Sequence, residues 1–484
     1  MLFNSIEFAI FLPVVFFLYW FVSNYNLKLQ NALIVAASYL FYGWWDWRFL
    51  SLIIFSTIVD FTIGVLLKSE DRITKRKALL WTSIIVNLGF LGFFKYYNFF
   101  LDNFITAFSF FGTQIQANSL NIILPVGISF YTFQTLSYTI DVYKRKLEPT
   151  KDFIAFSAFV SFFPQLVAGP IERATHLLPQ FYTKRTFDYS KAIDGLRQIL
   201  WGLFKKVVIA DSCAEYANLI FNNSDDYSGS TLLLGAIFFT FQIYGDFSGY
   251  SDIAIGTSRL FGFDLMRNFA FPYFSRDIAE FWRRWHISLS TWFRDYLYIP
   301  LGGSRGGTGM KIRNTFIIFI VSGFWHGANW TFVIWGALNA LYFMPILLTN
   351  NNRNNLEIVA QGKTLPSFKE AYQILFTFSL TMLAWIFFRA EDLSHALSYL
   401  SEIFSSSLFT LPKFKGLTDA AVILIFIVIF MIFEWLGREN NYAFEKLYFL
   451  KKRSIRWVTY IIISSLVLES LNQSITQEFI YFDF

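Results

Sequence analysis

Apolar runs long enough to cross a lipid bilayer recur from end to end of the 484-residue chain. A helix needs roughly 20 apolar residues to span the hydrocarbon core, where every backbone polar group must be hydrogen-bonded internally. Only 15% of the residues are charged and 21% are aromatic, whereas a soluble domain carries about a quarter charged residues. The sequence therefore predicts an all-α, polytopic integral membrane helical bundle surrounded by lipid.

The apolar runs predict about 11–12 spans, together with re-entrant or interfacial helices. They lie near residues 5–22, 30–45, 49–67, 79–97, 121–140, 152–169, 196–211, 231–257, 314–347, 371–388, 418–436 and 456–471. The 314–347 run is too long for one straight crossing, so we expect a break at Gly323 and Gly327. No soluble domain, low-complexity segment or internal repeat is evident, and residues 1–484 are expected to form a single membrane domain.

The formal net charge of +6 comes from basic residues in short loops between the apolar runs. Basic residues crowd loops 68–77 and 144–151, which predicts that both loops face the cytoplasm and that the N-terminus lies outside. This distribution argues against nucleic acid as a partner. Cys213 is the only cysteine, which excludes an intrachain disulfide and a multi-cysteine metal site. No metal is predicted.

His326, in SGFWHGANWTF, has the most unusual surroundings of the four histidines. An ionisable group at membrane depth is expensive, so function is the default hypothesis. Desolvation favours the neutral imidazole, which can accept a proton from a hydroxyl. From the residues alone, a structural role as an interhelical hydrogen-bonding group is as well supported. Gly323 and Gly327 would let backbones approach closely, and Trp325 is expected to form a wall of a donor-binding cavity.

His286 lies in FWRRWHISLSTWFRDYLYIPLGG, where arginines alternate with aromatic residues. This pattern predicts an amphipathic helix over residues 281–305 at or within the membrane. Simple interfacial anchoring would explain the arginines individually. Alternatively, Arg283, Arg284 and Arg305 could line a polar tunnel and bind an anionic donor such as a pyrophosphate group. LGGSRGG lacks the spacing of a phosphate-binding loop.

Carboxylates also occur inside apolar runs. Asp246 and Asp252 lie six residues apart in FQIYGDFSGYSDIAIG, which places them on different faces of a regular helix and makes them a poor acid–base pair. We expect structural roles for them and for Asp60, either pairing with arginines or capping a helix break.

Long motifs along the whole chain resemble the membrane-bound O-acyltransferase family, in the bacterial branch that includes alginate O-acetyltransferases and teichoic-acid D-alanyl-transfer proteins. They are the two histidine segments above together with YGWWDWRFL, LPVGISFYTFQTLSYTIDVYK, FFPQLVAGPIER, FQIYGDFSGYSDIAIG, WIFFRA and FIYFDF. The resemblance is strongest to the alginate-acetylation type.

The resemblance implies helices around a tunnel, with the acyl donor reached from the cytoplasm and the acceptor from outside. It implies that His326 is the catalytic residue and that His286 is a second active-site residue. It further implies an O-acetyltransferase of the cytoplasmic (inner) membrane that binds no permanent cofactor, takes acetyl-CoA or another acyl thioester as donor, and works with an extracytoplasmic partner protein on a polysaccharide.

Two alternatives stay open. The same fold could transfer D-alanyl groups or modify peptidoglycan. A transporter for a polysaccharide or a lipid-linked precursor could use the same aromatic and arginine-lined cavity, although transporters often show paired halves with matching broken helices. The sequence shows one long broken run and no repeat, which favours the enzyme.

Overall fold

The computed structural model describes residues 1–112, 118–167, 169–447, 452–473 and 479–480. Helices account for 74% of the described residues, which contain no β-strand. The predicted all-α class is therefore confirmed. The chain divides into two compact units, residues 1–192 with 257–266 and residues 193–256 with 267–484.

The first unit is built from apolar helices joined by short turns. Its α-helices are α1 (Ile6–Phe17), α2 (Leu27–Asp46), α3 (Leu50–Ser69), α4 (Ile73–Leu91), α5 (Tyr97–Phe110), α6 (Ile128–Tyr143), α7 (Phe153–Ser161), α8 (Phe163–Leu166) and α9 (Ala174–Leu177). One-turn π-helical segments extend α1 over Leu18–Val22 and join α4 to α5 over Gly92–Tyr96.

The second unit contains the longer helices and both histidine motifs. The remaining α-helices are α10 (Tyr189–Leu203), α11 (Asp211–Phe221), α12 (Gly229–Leu260), α13 (Ile278–Arg284), α14 (Ile287–Phe293), α15 (Thr308–His326), α16 (Trp330–Leu348), α17 (Phe368–Arg389), α18 (Leu393–Ile403), α19 (Leu417–Gly437) and α20 (Arg453–Gln473). Residues of α10 and α12 are divided between the units. A π-helical segment, Phe204–Ala210, joins α10 to α11.

Seven helical stretches of the described chain are long and apolar enough to cross a membrane. They are Leu27–Ser69, Ile73–Phe110, Gly229–Leu260, Trp330–Leu348, Phe368–Arg389, Leu417–Gly437 and Arg453–Asn472. Leu27–Ser69 includes two of the predicted spans and is interrupted at Asp46, whose backbone is extended. Arg453–Asn472 is only 11% buried within the protein, so its apolar side chains are available to lipid. The chain is a multi-pass membrane protein.

Two predicted spans are shorter as helices than their apolar runs. The 121–140 run becomes helical only at Ile128, because Gly127 before it has a left-handed backbone (φ 75°). The 152–169 run divides at Phe162 into helices of nine and four residues. Pro164 lies at the start of the second of these, a position where its missing N–H costs no helical hydrogen bond. Apolar length alone thus overestimates straight spans.

Asp60 occupies the core of the first unit, and among the described residues it has no arginine partner. Its carboxylate is fully buried and accepts hydrogen bonds from the Asn87 amide and the Thr139 hydroxyl, both at 2.8 Å, and from the Ser83 hydroxyl. The predicted pairing with arginine is wrong for this residue, because neutral side-chain donors on α4 and α6 take that role.

Helices α15 and α16 pack closely together on either side of the segment that contains His326. A Cβ atom on Gly323 would come within 2.2 Å of the Phe332 carbonyl oxygen and 3.3 Å of the Gly336 Cα. On the facing helix, a Cβ on Gly336 would come within 2.3 Å of the Phe319 carbonyl oxygen. The packing role predicted for Gly323 is confirmed, since any larger residue would push the two backbones apart.

Candidate active site

His326 is the last residue of α15 and lies at the predicted break. The helix ends there, Gly327 is extended, and α16 begins at Trp330 after the Asn329 side chain caps its first turn by accepting from Thr331 N–H at 3.0 Å. The break predicted within 314–347 is confirmed. It leaves His326 only 3% exposed, facing the interior of the second unit.

Aromatic rings surround the His326 imidazole. The ring centroids of Trp335 and Phe388 lie 5.3 Å from it, and that of Trp325 lies 4.9 Å away. Trp335 in turn stacks on Trp385 with centroids 5.5 Å apart. Such interlocked rings fix the imidazole in place, because each ring can move only if its neighbours move.

His286 separates two short helices. It follows α13 and precedes α14, and its backbone is left-handed (φ 44°, ψ 55°). The single amphipathic helix predicted over 281–305 is therefore wrong, because a left-handed residue cannot continue a right-handed helix. The break turns the His286 side chain inward, where it is 1% exposed.

The imidazole of His286 has one polar partner. Its Nδ1 lies 3.0 Å from the Asn268 Oδ1, while its Nε2 is buried and has no hydrogen-bond partner in the described part of the chain. The ring packs edge-on against Phe247, with centroids 4.6 Å apart. His286 lies outside the candidate spans, and burial lowers its pKa to about 3, so it is neutral at physiological pH.

A single cavity of about 250 Å³ brings the two histidines together. Trp325 lies between them, with its ring centroid 6.2 Å from that of His286 and 4.9 Å from that of His326. The cavity is lined by Trp282, Trp285, His286, Leu289, Ser290, Phe293, Arg294, Tyr298, Thr315, Ile318, Phe319, Ser322, His326, Phe343, Leu347 and Asn352. Two buried imidazoles thus share one mainly apolar chamber.

The arginines predicted to bind a donor lie elsewhere. Arg283 donates to the carbonyl oxygens of Asn352 and Asn355, both at 2.8 Å. Arg284 donates to the buried Glu280 carboxylate at 2.7 Å. Arg305 is exposed in the loop between α14 and α15. None of the three lines the cavity, and their role as donor ligands stays a prediction.

Asn268 was missed by the sequence analysis as a site residue, whereas Arg294 is one of the arginines of the 281–305 segment that it considered. Arg294 lines the cavity and pairs with Asp295 at 2.7 Å, with 59% of its side chain exposed. Asn268 holds His286 from a loop after α12. Nothing in the RNFAFPYF segment that contains Asn268 indicates such a role.

The carboxylates of α12 are paired with lysines. Lys206 lies 2.7 Å from Asp211 and 2.8 Å from Asp246, and all three are nearly fully buried. Lys205 pairs with Asp252 at 2.5 Å. The structural pairing predicted for Asp246 and Asp252 is confirmed, although with lysine in place of arginine. Within the described ranges, no group of three or more His, Cys, Asp or Glu side chains is arranged to hold a metal ion.

A sequence model of the membrane-bound O-acyltransferase (MBOAT) family matches residues 79–388. The chain belongs to this family. It is 40% identical over 436 residues to the probable alginate O-acetylase AlgI of Azotobacter vinelandii, which covers 89% of this chain and 84% of that protein. The corresponding protein of Pseudomonas aeruginosa is 39% identical over 437 residues, covering 89% and 81%.

A third relative of this MBOAT protein has a different named acceptor. The peptidoglycan O-acetyltransferase of Helicobacter pylori is 36% identical over 429 residues, which covers 83% of this chain and 79% of that protein. The protein is therefore an enzyme, an O-acyltransferase embedded in a membrane, and the matched family region includes both His286 and His326.

Proposed function

We propose that this MBOAT enzyme takes an acetyl group from a thioester on the cytoplasmic side and transfers it towards hydroxyl groups of an extracytoplasmic glycan. The observation that carries the proposal is the shared cavity, which both His286 and His326 line and whose walls are mainly apolar. A neutral imidazole in such a cavity can activate a hydroxyl without a metal.

His326 acts as the general base. It removes the proton from the acceptor hydroxyl as the oxygen attacks the thioester carbonyl, and then returns the proton to the departing thiolate, so that the C–O bond forms as the C–S bond breaks. The imidazolium formed in between lies at the C-terminus of α15, where the partial negative charge of the helix end stabilises a cation.

The walls of the cavity protect the donor from hydrolysis. Trp282, Phe293, Phe319 and Phe343 line it, and their rings leave little room for water beside the thioester. Trp325 was predicted from sequence to form a wall of the donor-binding cavity. Its ring packs between the two imidazoles, and in the proposed mechanism it keeps them apart. His286 holds a substrate in position for His326.

We expect the binding of an anionic donor to depend on Arg294 more than on Arg305. Arg294→Gln should raise the KM for acetyl-CoA about tenfold, because charge-assisted hydrogen bonds contribute about 1.5–3 kcal/mol and solvent exposure reduces that value. Arg305→Gln, an equal change of charge on the exposed loop, should leave the KM within about twofold. Steady-state kinetics in detergent would check this. The reverse ranking would favour the donor site predicted from sequence.

The acceptor is an alginate-like exopolysaccharide or another envelope glycan such as peptidoglycan. Support comes from the relatives, which are named for alginate and for peptidoglycan acetylation, and more distantly from a teichoic acid D-alanyltransferase of Streptococcus thermophilus, 30% identical over 303 residues. In this proposal the enzyme resides in the cytoplasmic membrane and passes the acetyl group to the polymer with an extracytoplasmic partner protein.

Sided membrane vesicles test the direction of transfer. Radiolabelled acetyl-CoA added to inverted vesicles, whose cytoplasmic face is outward, should place label on the enclosed glycan, whereas right-side-out vesicles should incorporate about tenfold less because the donor cannot cross the bilayer. Label incorporation equal in both orientations would contradict the proposed direction. A transporter would instead move glycan into inverted vesicles without esterifying it.

A further inference from the structure

Asn268 lies directly beside His286 because two chain segments run alongside each other. The Ala270 N–H donates to the Arg284 carbonyl oxygen, and the Ile287 N–H donates to the Asn268 carbonyl oxygen, both at 2.9 Å. These two backbone hydrogen bonds clamp the loop after α12 onto the break between α13 and α14. They fix the separation between the Asn268 side chain and the imidazole.

The orientation of the Asn268 amide is set by its other partners. The Ser288 backbone N–H lies 3.4 Å from Asn268 Oδ1, and the Ser288 hydroxyl donates to the same oxygen at 2.9 Å. A backbone N–H can only donate, so the atom that faces it must be the oxygen. On its other side, Asn268 Nδ2 donates to the Ser251 hydroxyl at 3.0 Å.

The orientation of the amide decides which nitrogen of His286 carries the proton. Oδ1 of Asn268 can only accept, so Nδ1 of His286, 3.0 Å away, must be the donor. In a neutral imidazole the other nitrogen is then unprotonated. That nitrogen, Nε2, is the one with no partner among the described residues, and the ring lines the cavity.

We infer that Asn268 is a positioning residue, which keeps the proton of His286 on Nδ1 and presents Nε2 to the cavity as a hydrogen-bond acceptor for a substrate O–H or N–H group. This inference rests on the proposed function and assigns a separate role to each of the two histidines. His286 binds and aligns a hydrogen-bond donor of the substrate, while His326 exchanges the reacting proton. A neutral imidazole of this tautomer cannot itself donate to an oxyanion in the cavity.

The surroundings of His286 make the effect of Asn268 measurable. The rings of Phe247, Phe269 and Trp325 pack around the imidazole. The titratable side chains that share its cavity are Arg294, Tyr298 and His326, and a smaller cavity on the Asn268 side is lined by Lys205, Asp252, Arg267 and Glu434. A carboxylate placed at residue 268 would therefore be the nearest negative charge, and it would raise the pKa of His286 from its low value.

Asn268→Asp and Asn268→Leu should have opposite consequences. The aspartate still accepts from Nδ1–H, so transfer should persist at neutral pH, but the pH at which His286 itself titrates, followed by ¹⁵N-histidine NMR, should move up by about 1 to 3 pH units because the carboxylate stabilises the imidazolium. The leucine removes the acceptor, and kcat/KM should fall about 10- to 100-fold at every pH.

Asn314→Ala is the matched control. Asn314 is buried in the same unit, donates to the Leu301 and Gly303 carbonyl oxygens and does not line the cavity. It should lower the yield of protein without moving the titration of His286. With only four histidines in the chain, ¹⁵N-histidine NMR of the full-length enzyme can also assign the His286 tautomer. Nδ1–H is expected in the wild type and in Asn268→Asp, and a mixture in Asn268→Leu.

Two results would overturn the positioning role: an unmoved titration of His286 in Asn268→Asp, or a wild-type Nε2–H tautomer. His326→Ala, measured in parallel, separates this outcome from failure of the proposed function. If His326→Ala retains acetyl transfer, the proposed function fails whatever the Asn268 variants do. If it loses transfer while Asn268→Asp keeps the wild-type titration of His286, only the role of Asn268 is refuted.

Discussion

His326→Ala is expected to reduce acetyl transfer by about 100- to 10,000-fold, the range that general-base catalysis contributes. The imidazole is 3% exposed and faces the cavity, so no solvent group can readily replace it. The content of acetyl ester in envelope glycan, measured by mass spectrometry and normalised to the amount of enzyme in the membrane, checks this. His326→Gln, which nearly preserves the volume, should be as inactive.

His395→Ala is the control for loss of an imidazole. His395 lies in α18, contacts the Ser224 hydroxyl through Nε2 at 3.2 Å and does not line the cavity. Its variant should keep acetyl transfer within about twofold, because the substitution removes a partly exposed contact. Wild-type ester content in His326→Ala cells would refute general-base catalysis by His326.

Lys206→Met is expected to be the most damaging single substitution for folding. Lys206 is 1% exposed and lies between the Asp211 and Asp246 carboxylates, so methionine would leave two negative charges in the core without their cation. Removing one partner of a buried ion pair costs about 3–5 kcal/mol. Thermal unfolding in detergent, followed by tryptophan fluorescence, should show a lowered Tm or no folded protein at all.

Lys191→Met is the matched control, because it removes a lysine from an exposed ion pair. Lys191 pairs with Asp264 at 3.2 Å, but both side chains are more than half exposed, and such pairs contribute about 0–1 kcal/mol. Adding Asp246→Asn to Lys206→Met should recover part of the lost stability by removing one uncompensated charge. Equal Tm values for the Lys206 and Lys191 variants would show that the buried cluster does not stabilise the fold.

Helical class and the position of the main break could be predicted because both follow from local chemistry. Long apolar runs with few charges can satisfy their backbone in lipid only as helices. The 314–347 run exceeds one bilayer crossing, and its glycines permit a close approach that the structure places between Gly323 and Gly336. His326 then lies at the break as a direct consequence of its neighbours in sequence.

The left-handed residue at His286 could not be predicted in the same way. Arginines and aromatic residues recur across residues 281–298, which indicates one amphipathic helix, and no glycine or proline marks the turn between α13 and α14. Asn268 holds this turn from a different segment. Tertiary contacts of this kind override local propensity and leave no trace in either segment alone.

The arginines illustrate a different limit. Their number and spacing suggested that they line a polar tunnel, but periodicity does not reveal which guanidinium groups are already hydrogen-bonded or ion-paired to other residues. Arg284 is taken up by Glu280 and by the Ala270 carbonyl oxygen, while the more exposed Arg294 reaches the cavity. Arg284 is engaged in this way because Glu280 is only 1% exposed, and a buried carboxylate needs a cation close by.

The left-handed backbone at His286 (φ 44°) also bears on how the enzyme could be engineered. A non-glycine residue in this conformation costs on the order of 1–2 kcal/mol, so glycine would fit the same turn with less strain. A redesign guided by thermostability alone would therefore select against the histidine and discard a side chain that lines the cavity. Substitutions intended to raise the thermal stability of this enzyme should therefore leave residue 286 unchanged and be made at other positions.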